Sequence, residues 1–341
     1  MENQVADGMS LLKEVLLSSK MDNKKRLKEI ISELRTKMDT RIPAAGHVYA
    51  ANRALSYIDP MMKYKDTAEG IGFYEFVKKL DKNFDSNADL LMKQLVRAQM
   101  CIFRKENLTL SLTGEFNFKS LMEGEMLQFN RMLYDMPCVK TVPAFVLEKK
   151  NEGFKTASKV QYVAKGGNFK RHGFAYTGAL RVMETILRYE YLWKKVRVLG
   201  GAYGAFTQFM RNGNAVLCSY RDPNLAETLK VYEELPDYLS ALVLSEREMT
   251  KYVIGTMAAE EIQLTPFMKG ERALAYYLTG NTRESRMKIR DEIVNCTIDN
   301  IRSLAPLVRS VMNDPYICVM GNEEKIRQNK ALFTSILSMP K

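Results

Sequence analysis

Imidazoles are scarce in this chain: among 341 residues there are 2 histidines, His47 and His172. No C-x-x-C pair exists either, so a zinc site built within the chain is not expected. The 5 cysteines (Cys101, Cys138, Cys218, Cys296 and Cys318) are odd in number and widely spaced in apolar surroundings, which reads as buried thiols in a reducing compartment. Also missing are an apolar run long enough to cross a bilayer and the basic, apolar and small-residue succession of a secretory signal. The expectation is a soluble protein of the cytoplasm, or of an organellar matrix, with no membrane partner. Arginine-rich runs interleaved with aromatics are lacking too, so nucleic acid is not an expected partner.

What is there is ordinary globular material, 46% hydrophobic, long enough for two domains. The formal charge of +11 lies on helices that also carry acids, as around Lys24, Lys25, Arg26, Lys28, Glu29, Glu33 and Arg35. It reads as solvated helix faces rather than a basic tail. Apolar residues at helical spacing predict helices at 9–19, after Asp22-Asn23, at 46–57, 73–81, 86–101 and about 117–133. His47 reads as a packing residue. Strict alternation at 108–113 predicts a half-buried strand, and the proline-containing segment 135–143 reads as a linker. In the second half, strands are expected near 143–148 and 154–164. Helices should follow after Thr177, Asp222-Pro223, Glu246, Thr265 and Thr282, then a buried strand at 316–320 and a last helix from Gly321-Asn322.

Both halves run through amphipathic helices into one short apolar strand, a glycine and another helix. This weak repeat predicts an α+β protein of two related domains, 1–136 and 137–341, each a mostly antiparallel sheet covered by helices on one face. The first copy reads as incomplete, because no strand precedes the helix at 9–19.

Residues 192–220 organise the rest: a helix end, a Gly200-Gly201 break, and a hairpin turning at Asn212-Gly213. The break sets Arg197 and Tyr203 at the mouth of one strand, a fixed cation beside a phenol. Glycines there permit unusual dihedrals and the close approach of another backbone. Alone, the pair also fits a cation at a helix C-terminus and a strand tyrosine packed on its neighbour.

The segments YVAKGGNF (162–169), YTGALRVMETIL (176–187), LWKKVRVLGGAYGAF (192–206) and SYRDPNL (219–225) resemble the last domain of presequence-protease-type zinc metallopeptidases of the insulinase or pitrilysin superfamily. KKRLKEIISELRTKM (24–38) and GHVYAANRALSY (46–57) are similar to the helical associated region of that subfamily. So are 269–293 and the closing GNEEKIRQNKALF, and the likeness covers nearly the whole chain. It implies metallopeptidase-like domains, with 1–136 as a partial third domain plus associated region and 137–341 as the fourth. In that family two half-enzymes close around a chamber, and the N-terminal half supplies H-x-x-E-H, a further Glu ligand and the general base. Neither His47 nor His172 belongs to such a motif, so this chain by itself is expected to be inactive and to bind no metal. Zinc would be held by the missing N-terminal half, where it would polarise the scissile carbonyl and activate water. The resemblance implies that Tyr203 donates a proton to the forming oxyanion and Arg197 holds substrate oxygens, with Gly200 and Gly201 letting a peptide lie close. The expected partners are that half and unfolded or presequence-like peptides; a non-catalytic scaffold subunit is the alternative.

Overall fold

Between residues 151 and 338, short β-forming runs are separated by helices and turns, and six of them pair into one sheet: β1 (Asn151–Thr156), β2 (Tyr162–Asn168), β3 (Gly204–Phe209), β4 (Asn214–Tyr220), β5 (Tyr316–Asn322) and β6 (Ser335–Ser338). The computed structural model describes residues 2–114, 122–136, 141 and 143–339. The strand order is β3-β4-β2-β5-β1-β6. The β3–β4, β4–β2 and β2–β5 pairs are antiparallel, while β5–β1 and β1–β6 are parallel. The α+β class and the mostly antiparallel sheet are as expected.

Side-chain alternation along β2 shows what covers each face. Val163 joins a large apolar core with Leu180, Met183, Ile186, Val308 and Val311. Tyr162 and Gly166 point the other way, against the helix Gly46–Ser56: a Cβ on Gly46 would lie 2.2 Å from the Tyr162 ring, and one on Gly166 would lie 3.1 Å from Leu55. The sheet is therefore covered on both faces, not on one. The helix at 46–56, expected to belong with the first domain, supplies the second cover.

A buried polar network fixes that helix. Arg53 Nε donates to Glu152 Oε2 at 2.7 Å, Arg53 Nη1 donates to Asp66 Oδ2 at 2.5 Å, and the Tyr57 hydroxyl donates to Glu152 Oε2 at 2.5 Å. All three charged residues are at most 7% exposed. Burial pushes the Glu152 carboxyl up, but the bond and charge of Arg53, with the Tyr57 hydroxyl, outweigh it and hold it below the usual range. A buried charge is tolerable only when paired in this way.

Compact packing divides the chain as two interleaved units, 1–35 with 76–143 and 263–281, and 36–75 with 144–262 and 282–341. The sheet belongs to the second. The first is built of helices, among them Glu2–Leu17, Phe84–Ile102 and Pro266–Thr279, the last capped by Thr265 accepting from the Met268 N–H. Residues 108–113 form no strand; Leu108 and Leu110 are 39% and 40% exposed. Alternation names a face but not a partner to pair with. The expected helix near 117–133 appears as Leu127–Met132 after a turn kinked at Gly124, while 115–121 lies outside the described residues. So does most of the expected linker, with Cys138.

Other boundaries shift for local reasons. The strands expected near 143–148 and 154–164 appear instead as β1 and β2, with a break at 157–161 held by Ser158 and Thr156. Thr177 precedes the helix Gly178–Ile186 without capping it, because the Glu292 carboxylate takes the Gly178 N–H at 2.6 Å. The helix after Asp222-Pro223 starts later, at Ala226, since Asp222 is buried and accepts from the Thr228 hydroxyl and the Asn224 N–H.

Candidate functional site

The helix Gly178–Ile186 continues through Leu187–Tyr191 and Trp193–Leu199 with the wider turns of a π-helix, a form enriched at functional sites. The widening carries to its end: the Gly201 N–H donates to the Arg197 carbonyl at 2.9 Å and the Ala202 N–H to the Val196 carbonyl at 3.1 Å. Each bond spans one residue more than in the usual helix-closing motif. Gly201 takes φ +78, a left-handed conformation that glycine adopts at little cost. A Cβ on Gly200 would stand 2.5 Å from the Val196 carbonyl oxygen. Both glycines thus have a reason within their own backbone. Asn224 closes the loop from outside by donating to the Gly200 carbonyl at 2.6 Å.

This corner brings Arg197 and Tyr203 together at the surface. The Arg197 guanidinium lies 4.0 Å from the centre of the Trp193 ring and 5.8 Å from that of Tyr203. Aromatic faces attract the cation without neutralising it, and among the described residues Arg197 has no acidic partner. Tyr203 is 66% exposed, and its N–H donates to the Tyr220 carbonyl at 3.1 Å, which anchors it at the head of β3. The surrounding surface is apolar, with Val198 and Leu199 at 63% and 75% exposure. Such patches mark contact with something.

Behind Tyr203 stands an aromatic cluster. Its ring meets Tyr220 edge-on at 5.6 Å, and Tyr220 in turn meets His47 edge-on at 4.7 Å. Phe206 packs on His47 at 5.5 Å and Tyr162 on Tyr220 at 5.7 Å. Burial lowers the His47 pKa, so the ring stays neutral, and its Nδ1 is buried without a partner among the described residues. The expectation of a packing histidine fits this surrounding. Burial raises the Tyr162 pKa, with the nearby Arg221 cation opposing it.

His172 sits elsewhere, its Nε2 3.1 Å from Asp314 Oδ1. Among the described residues no three His, Cys, Asp or Glu side chains converge as a metal would require. Residues of this chain therefore do not fit a zinc site. Sequence reasoning passed over Trp193, which lies at the i, i+4 helical spacing from Arg197, and Tyr220 with Arg221, which follow the hairpin.

Residues 151–322 match the family described as the PreP C-terminal domain, and residues 1–80 match the family of the associated region of the same peptidase subfamily. Protein HypA of Clostridium perfringens is 39% identical over 338 residues, covering 98% of this chain and 34% of that protein. Presequence protease 1, chloroplastic/mitochondrial, of Arabidopsis thaliana is 26% identical over 96% of this chain and 30% of its own length. The crystal structure of pitrilysin superposes with a TM-score of 0.61 at 13% identity, over 92% of this chain and 32% of that one. The chain spans about a third of the length of the curated relatives it matches. With the family match running across half of its residues, the chain belongs to the PreP C-terminal domain family.

Proposed function

We propose that this chain is the C-terminal, substrate-binding half of a zinc metalloendopeptidase that degrades unfolded or presequence-like peptides. The observation that supports it most is the exposed pairing of the Arg197 guanidinium with the Tyr203 phenol at the Gly201 corner. In this reading Tyr203 donates its hydroxyl proton toward the oxygen of the scissile carbonyl as negative charge builds there. Arg197, stiffened by its stack on Trp193, offers forked donors to substrate carbonyl or carboxylate oxygens. Gly200 and Gly201 present no side chain to a passing peptide. The metal and its ligands belong to an N-terminal half, which is also the proposed partner, and the exposed Val198 and Leu199 suit a covered surface. The family ancestry proposed is a partial third domain with associated region up to 136 and a fourth domain from 137, a division distinct from compactness. Buried thiols at Cys218, Cys296 and Cys318 suit a reducing compartment.

The test is to join the chain to the metal-bearing half and compare Tyr203→Phe with the parent. Turnover should fall by roughly 100- to 1,000-fold, the loss typical of a removed oxyanion donor, with metal content unchanged. Full activity in the Phe protein would favour the scaffold reading.

A further inference from the structure

We propose that Arg221 is a second substrate-binding cation, and that it gives the site a preference for an acidic side chain in the bound peptide; this rests on the peptide-binding reading above. Arg221 is the non-glycine residue with positive φ among the described residues, at +49. Left-handed backbone is unfavourable for a residue with a Cβ and costs glycine almost nothing. Strain of this kind persists where the surroundings or a function maintain it.

What the backbone does there, a glycine could do as well. The Arg221 carbonyl accepts from the Tyr203 N–H at 3.4 Å, beside the Tyr220 carbonyl, and so helps to hold the phenol. The guanidinium is the part that glycine cannot supply. It is exposed, lies 5.5 Å from the centre of the Tyr220 ring, and has no acidic partner among the described residues. Tyr220 is the ring that meets Tyr203, and Tyr203 is the ring beside Arg197. Two un-neutralised guanidiniums are therefore held on two touching phenol rings, with the proposed proton donor between them. A bland surface arginine would show neither the strained backbone nor this seat. A planar fork resting on an aromatic face is suited to a carboxylate, which it grips with two parallel bonds.

Calorimetric titration of the 341-residue chain tests this with pairs of extended peptides that differ by Glu or Gln at one position, moved along the peptide. At one position the Glu peptide should bind about tenfold tighter, as expected for one charge-assisted bond. In Arg221→Gly that ratio should fall to about one, the Gln peptide should bind as before, and Tm should be equal or higher because the strain is gone. Arg221→Lys should keep part of the preference. An unchanged ratio in Arg221→Gly, or no Glu preference at any position, overturns the proposal while leaving peptide binding intact. A lower Tm in Arg221→Gly assigns the residue to the fold and overturns it too. If the parent chain binds no peptide at all, the peptidase-half reading falls with it.

Discussion

Glu152 lies 3% exposed against Arg53, and its carboxyl is held below its ordinary value of 4.5. A carboxylate with a depressed folded pKa adds stability that is present above the unfolded value and is lost as pH falls through the folded one. Glu184 and Asp222, raised by burial, act with the opposite sign: their contribution is greatest in acid and is lost as pH rises through their folded values. Replacing Glu152 with Gln leaves Arg53 short of a buried partner, which should cost about 3–5 kcal/mol at neutral pH. Urea midpoints across a pH series should also fall less steeply below about pH 4.5 than in the parent; an unchanged slope would show that the charge of Glu152 is not what the network holds. At this scale the sequence was informative about Arg197 and Tyr203, whose spacing around two glycines is local. It was silent about Arg53 and Glu152, which meet only because a helix and a distant strand are packed together. Tyr220 and Arg221 were equally hidden, since the significance of Arg221 lies in a backbone angle.

Among the elements, the β3–β4 hairpin was the most legible. Its turn needs a positive φ, and Gly213 supplies it at +98, with the Gly213 N–H donating to the Met210 carbonyl at 2.9 Å. A Cβ there would also stand 2.7 Å from Asn168 Oδ1 and 2.8 Å from Lys170. Gly213→Ala should therefore destabilise the fold by at least the ~1–2 kcal/mol of a left-handed alanine, read as a lower urea midpoint with an unchanged slope. Short-range turn chemistry of this kind is written in adjacent residues. Pairing is not, which is why the alternation at 108–113 suggested a strand that has no neighbour. The helix Gly46–Ser56 shows the same limit: its apolar spacing announced a buried face, but the surface it covers lies far away in sequence, on β2. The π-type turns before Gly200 were not legible either, because they shift hydrogen bonds without changing the apolar pattern.

For the whole molecule, the informative fact is that a family match and a sheet unit arrive without a place for a metal among the described residues. Adding zinc to the purified chain should leave its Tm unchanged, since only a ligand that prefers the folded state raises it. A rise would reveal a site involving residues outside those described. The formal charge of +11 is dispersed. Its two members beside Tyr203 differ from the rest in being seated on aromatic rings rather than on carboxylates. One of those seats carries an optical consequence. Trp193 is the chain's single tryptophan, 44% exposed with Arg197 over its face, so all indole emission from this protein originates at the candidate site. Any molecule that displaces that guanidinium or shields that ring must change the spectrum or its quenching by iodide, which gives occupancy a signal needing neither label nor turnover.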